Sequence, residues 1–156
     1  MIYRQAVEKD LMELAEIRWD FQHESYDVST CISKDEFLEQ CVDFLKDGLI
    51  KEEWVYWIAE DNNLIVSQIF VRRIRKIPKP QHLYDEYGYV TNVYTRPNYR
   101  NKGIGKKLME EVKQWAVNCD LEILIVWPSK EAVQFYERAE FKGENDIMEL
   151  VIREDY

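Results

Sequence analysis

Between Tyr87 and Trp127 the chain runs from a strand, through a glycine-containing turn, into an amphipathic helix and back into an apolar strand. Tyr87 to Thr95 is rich in aromatic and β-branched residues, as strands are. Ile104, Leu108, Val112, Trp115 and Ala116 then share one helical face, with Lys106, Lys107, Glu110 and Lys113 opposite. Ile123 to Trp127 reads as a short buried strand. Two strands joined through such a helix must lie parallel, with a right-handed crossover. The unit therefore demands a sheet with at least one parallel pair and a helix packed on its face.

The flanking sequence extends that sheet. Ile2 to Gln5 reads as a first strand, and Leu11, Leu14, Ala15 and Phe21 give a helix ending near Trp19 to Phe21. A polar loop is expected over 22–32. Ser33 and Glu36 form a capping-box pattern ahead of a second helix, for which Gly48 supplies a stop. Trp54 to Glu60 and Leu64 to Ile77 flank the turn Asp61-Asn62-Asn63 as a hairpin, and Pro78 and Pro80 open a loop reaching Glu86. Lys130 to Ala139 reads as a fourth helix, and Phe141 to Ile152 as a closing hairpin about Asn145-Asp146. The expected order is β α α β β β α β α β β. It describes an α/β fold with a mixed, mostly antiparallel central sheet and helices on both faces. With no repeat or linker, residues 1–156 are expected to form a single domain.

Charge narrows the function. The net charge of −9 argues against nucleic-acid binding, which requires clustered Lys and Arg against phosphates. No apolar run reaches the roughly 20 residues of a membrane span, and the first residues lack a secretory pattern. Cys31, Cys41 and Cys119 have no CxxC spacing, so neither a disulfide framework nor a metal site is expected. A cytoplasmic location is the resulting expectation. Against this acidic background, Arg96, Arg100, Lys102, Lys106 and Lys107 form a basic island without an acid, which suggests a local anion site.

The island contains the most specific stretch of the chain, Arg100-Asn101-Lys102-Gly103-Ile104-Gly105, between strand and helix. The first N–H groups of a helix lack intrahelical partners, and glycines let that backbone approach a phosphate. A bare Gly-x-Gly is equally compatible with an ordinary helix start. A P-loop fails because Lys106 is followed by Lys107 where a hydroxyl is required. A dinucleotide fingerprint fails because Leu108 stands at the third glycine.

Val93-x-x-x-Pro97-x-x-Arg100-Asn101-Lys102-Gly103-Ile104-Gly105-Lys106-x-Leu108 closely resembles the acetyl-CoA signature of the GNAT N-acetyltransferases. Ser129-x-x-Ala132-x-x-Phe135-Tyr136-Glu137-x-x-x-Phe141 resembles that family's second cofactor motif, and residues 54–152 carry most of the likeness. The resemblance implies acetyl transfer from acetyl-CoA to a primary amine, without a metal. The acceptor would be a small molecule or a peptide, and a homodimer is compatible. A degenerate domain that binds acyl-CoA as a sensor is the alternative.

The resemblance also implies roles. Backbone N–H groups of Asn101, Lys102, Gly103, Ile104, Gly105 and Lys106 would hold the pyrophosphate, and Arg100 and Ser129, the latter where the family commonly has asparagine, would also bind the cofactor. Val93 and Thr95 would bond the pantetheine arm from a bulged strand, with the Val93 N–H aimed at the thioester oxygen. Tyr136 would protonate the departing thiolate, although its helical spacing suits packing equally well. The family's usual base position falls on Tyr89, leaving Glu86 as the nearest carboxylate and Asp85 behind it. A solvated loop charge is the plainer reading of Glu86. Glu140 replaces the glycine usual before Phe141, and Ser67 stands at another common glycine position. The run Arg72, Arg73, Arg75, Lys76 and Lys79 reads as a charged edge strand.

Overall fold

A computed structural model describes residues 1–25, 32–143, 147–148 and 150–153. Its elements are β1 (Ile2–Gln5), α1 (Leu11–Ser25), α2 (Lys34–Ile50), β2 (Trp54–Asp61), β3 (Leu64–Arg75), β4 (Glu86–Thr95), α3 (Ile104–Asn118), β5 (Leu124–Ile125) and α4 (Val133–Arg138). Short 3-10 turns precede α1, α3 and α4. The strands lie in sequence order, β1 to β5. The first four pair antiparallel, and β4 pairs β5 in parallel, as the crossover requires.

Strand alternation divides the core in two. Tyr56, Ile58 and Phe70 turn to one face, where Leu11, Leu14 and Ile17 of α1 and Leu45 of α2 cover them. Trp57, Ala59, Ile69 and Val71 turn to the other, against Leu108, Met109 and Val112 of α3 and Tyr136 of α4. The two-residue turn Asn62-Asn63 closes the β2–β3 hairpin with both residues at positive φ, 49° and 64°. Asn tolerates that conformation, and two-residue hairpins favour it.

Several boundaries differ from expectation. Helix α1 continues to Ser25, a turn beyond Phe21, so the expected loop loses its first residues. Positions 26–31, Cys31 included, lie outside the described residues. Ser33 does cap α2, its Oγ accepting from the Glu36 N–H at 3.2 Å. Gly48 does not stop that helix, which runs to Ile50. This glycine serves close packing instead, since a Cβ there would stand 2.5 Å from the Tyr56 hydroxyl.

β3 lies between β2 and β4, but its pairing with β2 ends at Arg72, so Arg73 to Arg75 pair with β4 alone and that stretch of the charged run is an edge, with Lys76 and Lys79 beyond the strand. Its cations meet acids: Arg72 with Glu53, Lys76 with Glu122, Lys79 with Asp85. No strand follows β5 among the described residues, so the expected closing hairpin is not seen there. Its turn, Asn145-Asp146, lies outside them. Glu140 keeps the tight turn after α4 by adopting φ 69°, and the Phe141 N–H bonds the Tyr136 carbonyl at 3.0 Å.

Candidate active site

The geometry of β4 changes at its middle. Gln68 opposes Tyr94, but Phe70 opposes Thr91, so Asn92 and Val93 together face Ile69. This is a β-bulge, and Asn92 sits in the left-handed region at φ 50°. An Asn inside a strand is a sequence signal for such a bulge, because Asn enters that region more readily than most residues. Strand β5 pairs with β4 only at Gly88–Leu124 and Tyr89–Ile125. Beyond those pairs a groove opens between the strands, about 340 Å³ in volume. Val93, Asn92, Val126, Trp127, Ser129, Ala132 and Tyr136 line it, with Arg18, Phe21 and Gln22 of α1.

A second groove of about 740 Å³ shares Ser129 and Ala132 with the first. It runs past Thr95 to Arg100, Asn101, Gly103, Ile104, Gly105 and Lys106 at the start of α3. Gly103 is the N-cap at φ 76°, and Asn101 is also left-handed at φ 60°. Successive peptides of such a turn direct N–H groups into one concavity, at the positive end of a 15-residue helix. A Cβ on Gly103 would meet nothing within 4 Å, so the space above this backbone is open for a ligand. The residues present thus fit a diphosphate at one end of a slot and an extended arm along it.

The basic island is less free than its sequence suggests. Arg96 pairs with Glu13, Arg100 with Glu24 at 2.6 Å, and Lys107 with Glu111 at 3.0 Å. Lys102 donates to the Asn98 carbonyl and lies over the Tyr99 ring. The Arg100 guanidinium also donates to the Thr95 carbonyl at 2.9 Å and lies 5.3 Å from the Tyr94 ring centroid. Tyr94 in turn donates to Glu24 at 2.7 Å, tying the end of α1 to the glycine loop. The Arg100 pair and the Tyr94 hydroxyl hold the Glu24 carboxyl below its ordinary range. Attraction for an anion at the loop therefore comes mainly from oriented backbone.

Ser67 places its hydroxyl 2.8 Å from Thr95 Oγ1 and 3.0 Å from the Tyr94 carbonyl, anchoring β4 beside the slot. Tyr136 is 7% exposed, packed edge-on between Phe135 and Phe141 and lining the groove at the bulge. Burial, reinforced by Tyr89, pushes its phenol up to about 12. The structure thus brings together Tyr136, Val93, Thr95, Ser129 and the 100–106 loop. Glu86 stands apart from them. It opens β4 seven residues before Val93, roughly 20 Å away along an extended strand. There its carboxylate meets Arg73 at 2.7 Å and Arg75 at 3.5 Å. Asp85 is engaged by His82 and Lys79. Arg18 and Gln22 joined the groove without any motif to announce them, since α1 reaches it only through tertiary packing.

Among the described residues no cluster of His, Cys, Asp or Glu is placed to hold a metal ion, and no helix is long and apolar enough to cross a membrane. A search of curated protein sequences finds no match. Among solved structures, the fold is similar to a predicted acetyltransferase from Clostridium acetobutylicum crystallised with acetyl-CoA. That pair shares 24% identity over 97% of this chain and 96% of the other, with a TM-score of 0.78. A GCN5-related N-acetyltransferase from Ralstonia eutropha JMP134 aligns at 20% identity over 96% and 97% of the two chains, TM-score 0.74. Glucosamine-6-phosphate N-acetyltransferase from Arabidopsis thaliana aligns at 18% identity over 97% and 98%, TM-score 0.69. The family model for acetyltransferases of the GNAT type matches residues 11–141. With most of its length matched, the chain belongs to the acetyltransferase (GNAT) family.

Proposed function

We propose that the protein transfers an acetyl group from acetyl-CoA to a primary amine by direct attack on the thioester. The observation that carries this reading is the continuity of the two grooves through Ser129 and Ala132, from the α3 N-terminus to the bulge. Bound along them, acetyl-CoA supplies an activated acyl group. Backbone N–H groups from Asn101 to Lys106 take the pyrophosphate, and Thr95 and Val93 take the pantetheine amides as an added strand. At the bulge the Val93 N–H polarises the acyl oxygen, where charge grows as the amine attacks. Tyr136, protonated at neutral pH, donates towards the departing sulfur. Over the whole reaction a C–N bond forms, the C–S bond breaks, and the proton lost by the amine balances the one gained by the thiol.

The test has two arms. Millimolar CoA should raise the melting temperature of the wild type, since a ligand at 100 times its Kd adds about 2.7 kcal/mol. Gly103→Glu, which sets an anion over the loop, should stay folded and lose that shift. Thiol release from acetyl-CoA with a panel of primary amines then measures turnover. An absent CoA shift in the wild type would refute the reading.

A further inference from the structure

The bulge that holds Val93 also sets Asn92 into the wall of the same groove. Arg18 Nη1 donates to Asn92 Oδ1 at 3.1 Å. A guanidinium can only donate, so this bond fixes how the amide is turned, with its oxygen on Arg18 and its nitrogen directed elsewhere. Asn92 is 9% exposed, and its Nδ2 is buried without a hydrogen-bond partner. A buried donor left unpaired is costly, and each one in a folded protein calls for an explanation. In the proposed mechanism this groove holds the reacting groups, so an oxygen of the substrate is the natural partner.

We infer that Asn92 Nδ2 binds a carbonyl oxygen of the acceptor, and that the acceptor nitrogen is an α-amino group with that carbonyl on the adjacent carbon, as in an aminoacyl amide or a peptide N-terminus. The oxygen must stand close to the nitrogen because Asn92 adjoins Val93, their Cα atoms about 3.8 Å apart, and Val93 marks the reacting thioester. The state of the amine points the same way. Among the described residues lining the groove none is Asp, Glu or His, so the nitrogen is best supplied already neutral. An α-amino group titrates near 7.7–8.0 and a lysine-type amine near 10.4, so the neutral fraction at pH 7 is roughly 300-fold larger for the former. An amide N–H cannot accept from an ammonium, so a polyamine or lysine chain gains no bond from Nδ2. The inference rests on the acetyltransferase reading and specifies its acceptor.

Primary amines of similar basicity test it in the thiol-release assay at one pH: glycinamide and triglycine amide against propargylamine, which carries no oxygen. At least one of the two amides should exceed propargylamine by roughly 10-fold or more in kcat/KM, the scale of one hydrogen bond to a buried donor. A preference for triglycine amide marks a peptide N-terminus, and a preference for glycinamide a small aminoacyl amide. Asn92→Asp keeps the side-chain shape and an oxygen for Arg18 but removes the donor. It should raise KM for the preferred amide about 10-fold with kcat little changed, and leave propargylamine within about 2-fold. Asn92→Gly keeps the positive φ of the bulge without adding charge and should also lose the preference. In a turnover-independent arm, the preferred amide should add to the melting shift given by CoA in the wild type but in neither variant. Propargylamine serving as well as both amides, or equal weakening of amides and propargylamine by Asn92→Asp, would overturn the inference. So would an Asn92→Gly variant that keeps the preference, or a CoA shift to which neither amide adds. A wild type that CoA does not stabilise fails at the earlier step, and the two failures are distinguishable.

Discussion

Arg73 Nη2 lies 2.7 Å from Glu86 Oε2, and the pair closes the end of β4 opposite the bulge. Arg73 Nε adds a second contact at 2.9 Å, so the carboxylate is gripped by two guanidinium nitrogens. A carboxylate so placed holds β3 to β4 and stands seven residues along β4 from Val93. Glu86→Gln should therefore lower stability by about 1 kcal/mol, the value for a partly exposed pair. Its pH–rate profile should match the wild type.

That profile has a defined shape. Among the described residues lining the groove at the bulge, none is Asp, Glu or His. The amine should then react as the fraction already neutral, and kcat/KM should rise about tenfold per pH unit below the amine's own pKa. A plateau near neutral pH, removed by Glu86→Gln, would return the base role to that residue.

Gly48→Ala pits two effects against each other. In a helix interior Ala is favoured over Gly by about 1 kcal/mol. The added Cβ, however, would stand 2.5 Å from the Tyr56 hydroxyl and 2.8 Å from Trp54 Cδ1. Tyr56 cannot easily retreat, since it is fully buried and donates to the Leu45 carbonyl at 3.1 Å. Overpacking of this kind costs about 1–3 kcal/mol, so the variant should unfold at lower denaturant than the wild type. An increase in the midpoint would mean that Trp54 and Tyr56 move freely.

Glu140→Gly should act in the opposite direction. Glu140 occupies φ 69°, a region open to glycine and strained for other residues. Its contact with Lys113 is exposed, which limits what is lost. Differential scanning calorimetry should show the melting temperature rising by roughly 2–4 °C. A decrease would give the Lys113 contact more weight than an exposed pair normally carries.

The elements that sequence reveals well are those with periodicity or punctuation of their own. The α3 face, the Asn62-Asn63 turn and the glycine loop each carry a local pattern, and each stands where that pattern puts it. Gly48 misled because glycine has two uses, helix termination and close packing, and only the position of Tyr56 distinguishes them. The pairing of Arg73 with Glu86 was equally hidden, because strand register decides which acid meets which base. At the site, the loop was legible and the α1 wall was not. Arg18 of α1 meets Asn92 of β4 only because tertiary packing brings the helix to the bulge.

Asp10 gives the fold a pH dependence of known sign. It receives Arg4 through both carboxylate oxygens, at 2.7 and 2.9 Å, and the Val7 N–H at 2.8 Å. The Arg4 hydrogen bonds, aided by that backbone donor, hold its carboxyl below the ordinary range despite the opposing effect of burial. A lowered carboxyl contributes stability above its unfolded pKa, and that contribution disappears as pH falls through the folded value. Asp10→Asn should therefore be destabilised by roughly 1.5–3 kcal/mol at neutral pH, with the deficit shrinking below about pH 4. A deficit independent of pH would assign the effect to packing.

Tyr136→Phe separates chemistry from packing at the centre of the groove. Phe keeps the ring that packs between Phe135 and Phe141, so the fold and the CoA melting shift should survive. Only the hydroxyl is lost, and it makes no hydrogen bond to any other described residue that would have to be replaced. Because the phenol is raised to about 12, it remains protonated across the working range, and an alkaline limb near the ordinary tyrosine value should be absent in the wild type. If the hydroxyl acts as sulfur departs, its removal lowers kcat by roughly 10-fold or more and leaves KM for acetyl-CoA nearly unchanged. Amide formation and thiol release should fall together. A variant that is folded, stabilised by CoA and as fast as the wild type would show that the thiolate takes its proton from solvent and that Tyr136 is there to fill the core.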